Sequence, residues 1–160
     1  MPVPESWPRW ASRGPGWPRD AGWDTHGNQA AVLQRKLGEL DAGLRAFHDG
    51  AQACWSRSVV AVVTEFGRTA AVNGTGGTNH GTGGVAFLAG GAVRGGRISG
   101  DWPALSPWAL NEGRDLRATN DLRGLFRHVL GAHLGVSERA LDIQVFPGSA
   151  GLSRLEGLVA

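Results

Sequence analysis

The fold is decided by the stretch VVAVVTEFGRT at residues 59–69, which a glycine-rich loop, GGTNHG at residues 76–81, follows. A run of β-branched residues predicts a strand that is buried on both faces. That strand would carry Glu65 and Arg68 to its carboxyl end, and the loop would present His80 beside them. Open α/β sheets bind ligands at this end of their strands, so we expect a functional site there.

Asp24 and His26 stand two residues apart, just ahead of a long amphipathic segment. In an extended segment their side chains point to the same side and could share one ion. Carboxylate oxygen and imidazole nitrogen suit zinc, manganese or iron. Alternatively, Asp24 or Thr25 caps the start of the helix, and the spacing favours neither interpretation.

Glu65 closes an otherwise apolar strand, where burying an unpaired carboxylate would be costly. Glu65 could bind a metal ion while Arg68 forks onto an anionic substrate oxygen, or the two could form a structural salt bridge. His80 is flanked by glycine and small hydroxyl residues. Those neighbours suit a metal or oxyanion site, but they are also typical of a flexible loop.

Length and composition exclude several classes of protein. The 160 residues suffice for one domain with its own core. The net charge is +2 and the arginines are scattered among acidic residues, so nucleic acid binding is not indicated. No apolar stretch reaches the roughly 18 to 20 residues that a transmembrane helix needs. Cys54 is the single cysteine, which excludes an internal disulfide.

The chain divides into an arm and a domain. Residues 1–21 are rich in proline, tryptophan and arginine and show no periodicity, which predicts a disordered arm. Residues 22–160 contain the periodic segments and are expected to form the α/β domain.

Periodicity places the elements of that domain. Apolar residues at spacings of three and four predict helices over residues 29–48 and 120–134. Thr119 or Asn120 is expected to cap the second helix and Gly135 to end it. Strands are expected over residues 58–65 and 85–90, and residues 143–146 would add a third. Alternating helices and strands indicate the α/β class, with a thin sheet whose edges need neighbours.

Several motifs, taken in order, resemble the bacterial domain-of-unknown-function 1501 family. The strongest are GWDTHGNQ from residue 22, TEFGRT from residue 64 and NGTGGTNHG from residue 73. The likeness continues through GGVAFLAGG at residues 83–91, GDWP at 100–103, GRDL at 113–116 and VFPG at 145–148. It covers residues 21–148.

That family looks like a branch of the alkaline phosphatase and sulfatase superfamily. The resemblance implies part of an α/β/α sandwich that hydrolyses small anionic phosphate or sulfate esters at a divalent metal such as zinc, manganese or calcium. By position, the resemblance assigns the metal ligands to Asp24, His26, Glu65 and His80. Arg68 would steady the developing oxyanion charge. Relatives usually carry Asp-His where this chain has Asn79 before His80.

The resemblance also implies that this chain is the carboxyl-terminal portion of a longer protein. The nucleophile of the superfamily lies on the amino-terminal half, so it is expected to be absent here, which would leave a weakly active or inactive hydrolase. As written the chain would be cytoplasmic, whereas a family member with a twin-arginine signal would be exported. The alternative is a non-catalytic binding subunit that forms homo-oligomers through an exposed sheet edge.

Overall fold

A computed structural model describes residues 22–153 and 155–160, so the expected arm at residues 1–21 lies outside the described residues. The architecture combines helices with small antiparallel sheets and is broadly α/β. The helices are α1 (Gln29–Gly50), α2 (Leu122–Leu134) and α3 (Glu138–Ala140), with a 3-10 turn at Trp55–Arg57 and a π-helical turn at Leu141–Val145. The strands are β1 (Val60–Val62), β2 (Gly67–Arg68), β3 (His80–Gly81) and β4 (Phe87–Ala89).

Helix α1 confirms the helix predicted over residues 29–48 and extends it by two residues. The alternative in which Asp24 or Thr25 caps it is wrong. The N-cap position belongs to Asn28, which adopts a left-handed conformation with φ of 47° and makes no side-chain cap bond. The backbone N–H groups of Asn28 and Gln29 instead donate to carbonyls of the glycine loop, at 3.1 and 2.8 Å. The start of α1 is thereby fixed to that loop.

Strand β1 is shorter and more exposed than the run of valines predicts. It pairs antiparallel with β4, Val60 opposite Ala89 and Val62 opposite Phe87, and its residues are only half-buried. The expectation of a strand buried on both faces is therefore wrong. β-Branched residues favour any pleated surface, and the bend at residues 65–66 ends the pairing before Glu65 is reached.

The third strand expected over residues 143–146 is also wrong, because the chain there is helical. The Ser137 hydroxyl accepts from the Ala140 backbone N–H at 3.3 Å, and the Phe146 N–H donates to the Leu141 carbonyl at 2.8 Å, which closes a π-helical turn. The buried Arg127 of α2 pairs with Asp142 on this turn. Tertiary ion pairing thus outweighs the strand propensity of an Ile-Gln-Val-Phe sequence.

Helix α2 ends at Gly135 as predicted, in the left-handed region with φ of 68°. Its cap is Asp121, whose carboxylate accepts from the Arg123 backbone N–H at 2.8 Å. The predicted caps, Thr119 and Asn120, are wrong because both side chains bond the backbone of Asp101.

The described core is small and lies around α2 and the carboxyl terminus. Its buried apolar members are Ala51, Ala92, Leu125, Val129, Leu141, Leu158 and Val159. Across the described part of the chain, none of the helices combines the length and the apolar character needed to cross a membrane.

Candidate metal centre

Three backbone segments meet where β2 pairs with β3: residues 24–28, β2 itself and the loop that leads into β3. Gly77 lies so close to the first segment that a Cβ there would come within 2.2 Å of the His26 carbonyl carbon. A Cβ on Gly81 would come within 2.6 Å of the Arg68 carbonyl. Only glycine permits such approaches, so the glycine-rich sequence is what allows this close packing.

Asp24, His26 and His80 converge at this junction. Oδ1 of Asp24 lies 3.0 Å from Nε2 of His26 and 3.0 Å from Nε2 of His80. The two Nε2 atoms are 3.3 Å apart. Within the described ranges this is the group of carboxylate and imidazole side chains whose ligand atoms lie close enough together to hold one ion. The structure therefore brings together three of the four residues that the resemblance assigns as ligands.

Glu65, the fourth, is not in this group. It is exposed in the bend ahead of β2. Among the described residues, Arg68 forms an ion pair with Asp24 and none with Glu65, so the alternative in which Glu65 and Arg68 form a salt bridge is wrong. A ligand role for Glu65 stays a prediction.

Arg68 lies opposite His80 in the β2–β3 register, so both side chains leave the same face of the pair. Its Nη1 donates to Oδ1 of Asp24, and its Nη2 donates to the carbonyls of Thr25, at 2.7 Å, and of Thr78. Its Nε donates to the Thr78 hydroxyl at 2.8 Å. One guanidinium therefore joins the Asp24 segment to the strand that carries His80.

The hydrogen bond from His80 and the one from Arg68 lower the pKa of Asp24 from 3.8 to about 2, with the charges of the two imidazoles acting in the same direction. Partial burial opposes the shift and is outweighed. Asp24 is therefore ionised throughout the physiological pH range and offers a negatively charged oxygen.

His26 is held through its backbone by the glycine loop. Its carbonyl accepts from the Thr75 hydroxyl at 2.6 Å and from the Asn73 amide at 2.9 Å. The other end of the Asn73 amide accepts from the backbone N–H groups of Thr75 and Gly77, both at 3.0 Å. An aspartate or asparagine that bonds the backbone two residues on is a common turn signal, and this one places His26 beside His80.

Phe66 is a contact that sequence reasoning did not identify. Its ring lies 4.3 Å from the His80 ring, centroid to centroid, at an interplanar angle of 31°. Such a contact limits the rotation of the imidazole. The available signal was the position of Phe66, two residues before Arg68 and directly ahead of the strand that pairs with His80.

The side chains of Asp24, His26 and His80 are 44%, 50% and 55% exposed. The group is thus open to solvent on one side, and a molecule from solution could reach it directly.

A family model described as "Protein of unknown function (DUF1501)" matches residues 14–144 of the chain. No curated protein and no solved structure matches it.

Proposed function

The chain belongs to the DUF1501 family, and from its Asp24, His26 and His80 group we propose that it is a metal-dependent, hydrolase-like domain that acts on phosphate or sulfate esters. The observation that carries the proposal is the convergence of one carboxylate oxygen and two imidazole nitrogens within 3.0 to 3.3 Å of one another. With it we propose the finer architecture, part of an α/β/α sandwich of the alkaline phosphatase and sulfatase type.

The separations between donor atoms support a transition-metal ion. Zinc lies about 2.0 to 2.2 Å from nitrogen and oxygen ligands, which in a tetrahedral site places neighbouring ligand atoms about 3.3 to 3.6 Å apart. The observed separations of 3.0 to 3.3 Å lie within about 0.3 Å of the lower end of that range, so a small outward movement of the side chains would admit the ion. Two imidazoles and one carboxylate also suit manganese or iron, whereas calcium takes oxygen ligands. Zinc and manganese therefore fit these residues better than calcium.

When bound, a divalent ion would polarise an ester oxygen and lower the pKa of a water molecule. Asp24 supplies the negative charge that holds the ion, and His26 and His80 supply neutral donors. Three protein ligands on an exposed surface leave room for an ester oxygen, as in catalytic zinc sites. In this proposal Glu65 is a candidate additional ligand and Arg68 a candidate anion-binding group.

The test uses inorganic phosphate and sulfate as probes, since their binding does not depend on a nucleophile. Isothermal titration should show phosphate or sulfate binding to the chain loaded with zinc or manganese. Binding should disappear in the metal-free chain and in the variant that combines Asp24→Ala with His80→Ala. If the loaded chain binds neither anion, the ester-hydrolase proposal fails for this chain.

A second candidate function is a binding subunit without catalytic activity. The observation that favours it is the two-stranded sheet of β1 and β4. Among residues 22–153 and 155–160, each of these strands has one edge without a partner strand, and Val63, Val85 and Phe87 are exposed nearby. Such an edge can accept a further strand from another copy of the chain.

Sedimentation velocity over a range of protein concentrations tests this candidate. A binding subunit should form oligomers that a Phe87→Asp substitution dissociates, whereas metal removal should leave them unchanged. A chain that stays monomeric at every concentration contradicts this function.

A further inference from the structure

The hydrogen-bond donors of Arg68 are already engaged within the protein. A guanidinium carries five N–H donors, and four of those on Arg68 go to the Asp24 carboxylate, the Thr25 carbonyl, and the hydroxyl and carbonyl of Thr78. Among the described residues, one N–H on Nη1 is left. A side chain held in this way is fixed before any ligand arrives.

Two residues that accept hydrogen bonds from Arg68 are themselves held in place. Thr25 and Thr78 are both buried. The Thr78 hydroxyl also donates a hydrogen bond of 2.8 Å to the Gln29 side chain, in the first turn of α1. The side chain of Arg68 is 22% exposed, half the exposure of Asp24. The guanidinium therefore belongs to the rigid interior side of the junction and Asp24 to its exposed side.

We propose that Arg68 is a positioning residue, which holds the Asp24 carboxylate between His26 and His80 so that the three donors are arranged before an ion binds. This inference rests on the proposed metal site. A half-exposed aspartate would otherwise exchange among rotamers and would have to be ordered on binding. The hydrogen bond from Nη1 of Arg68 to Oδ1 of Asp24 removes that freedom, because the other hydrogen bonds of the guanidinium, to Thr25 and Thr78, hold it in place.

A positioning role and an anion-binding role predict different results. If Arg68 only bound the substrate oxyanion, its loss would weaken phosphate binding and leave metal affinity unchanged. If Arg68 positions Asp24, metal affinity falls even without an anion. Hydrogen-bond partners of metal ligands typically contribute 10- to 100-fold in affinity.

The experiment measures zinc affinity by competition with a chromophoric chelator in anion-free buffer. We expect Arg68→Gln to weaken zinc binding by about 10- to 100-fold. Arg68→Lys should recover little of this loss, because an ammonium cannot reproduce the fork. Arg45→Gln is the matched control, since Arg45 forms an exposed ion pair with Asp41 on α1, and it should bind zinc as the unaltered chain does.

Wild-type affinity in a folded Arg68 variant overturns the inference. Far-UV circular dichroism shows whether each variant folds. If Arg68→Gln does not fold, the zinc affinity of Arg68→Lys decides the question instead.

A chain that binds no zinc at all contradicts the proposed function instead, and the inference is then decided on the metal-free protein by nitrogen-15 NMR of the arginine side chains. Slow rotation of the Arg68 guanidinium, compared with free rotation of the Arg45 guanidinium, supports the positioning role of Arg68. Equally free rotation of both overturns it.

Discussion

Gly77→Ala should destabilise the protein and disrupt the candidate metal centre, although it adds a single methyl group. The new Cβ would come within 2.2 Å of the His26 carbonyl carbon, 2.4 Å of the His26 oxygen and 2.6 Å of the Gly27 nitrogen. These are backbone atoms, so no side-chain rotation can relieve the overlap. The glycine loop and the His26 segment must separate by more than about 1 Å to restore ordinary contact distances near 3.5 Å.

The expected magnitude follows from the bonds that cross this contact. They include the Thr75 hydroxyl to the His26 carbonyl at 2.6 Å, the Gln29 N–H to the Gly76 carbonyl at 2.8 Å and the Asn73 amide to the His26 carbonyl at 2.9 Å. Each is worth about 0.5 to 1.5 kcal/mol net. Losing two or three of them lowers the free energy of unfolding by about 1 to 4.5 kcal/mol.

Urea unfolding followed by far-UV circular dichroism measures this loss. Gly74→Ala is the matched control in the same loop, because a Cβ at Gly74 meets nothing within 4 Å. We expect the free energy of unfolding of Gly74→Ala to lie within about 1 kcal/mol of that of the unaltered chain, since replacing glycine by alanine also lowers the conformational entropy of the unfolded state. If Gly77→Ala unfolds at the same urea concentration as Gly74→Ala, the close packing described for the site is refuted.

Three further predictions concern charged groups. Because the pKa of Asp24 without metal is lowered to about 2, its contribution to the stability of the metal-free chain should be fully present at about pH 5 and be lost as the pH falls toward about 2. Urea midpoints of the metal-free chain and of Asp24→Asn should therefore converge over that range, and a constant difference contradicts the shift. Asp121→Ala removes the cap of α2 and should cost about 0.5 to 2 kcal/mol in urea unfolding, so an unchanged midpoint would exclude this role. Arg127→Met removes the buried arginine that pairs with Asp142 and Glu138. Because both carboxylates stay partly exposed, the free energy of unfolding, measured by thermal denaturation, should fall by about 1 to 3 kcal/mol rather than by the 3 to 5 kcal/mol typical of a fully buried pair. Wild-type stability would contradict this prediction.

The helices could be predicted from the sequence because local periodicity determines them. Apolar spacing of three and four placed α1 and α2 to within two residues at either end, and glycine at 135 ended α2 for a purely local reason, its left-handed φ. The caps were harder, since Thr119 and Asn120 have suitable side chains but are engaged by Asp101. No local pattern contains that tertiary contact.

The strands were predicted less well. A valine-rich run indicates a high β propensity. The partner of the strand, its direction and its burial nevertheless depend on distant residues such as Phe87 and Ala89. Residues 143–146 have the same propensity, but residues 143–145 belong to a π-helical turn whose Asp142 pairs with the buried Arg127. β Propensity therefore identified candidate segments but did not determine whether each forms a strand or a helical turn.

The candidate site was predicted in part. Two-residue spacing and glycine neighbours singled out Asp24, His26 and His80, and the structure brings them together. The hydrogen bond that joins Arg68 to Asp24 spans 44 residues, and the ring contact between Phe66 and His80 spans 14 residues. These contacts depend on the pairing of β2 with β3 and on the packing of residues 24–28 against that pair, which no local pattern contains.

The central claim is that Asp24, His26 and His80 bind one divalent ion, and elemental analysis of the purified chain tests it most directly. The matched sample is the variant that combines Asp24→Ala with His80→Ala, with Glu65→Ala alongside to assign the fourth ligand. We predict about one equivalent of zinc or manganese in the unaltered chain and none in the double variant. Absence of metal from both, or equal metal in both, would contradict the claim.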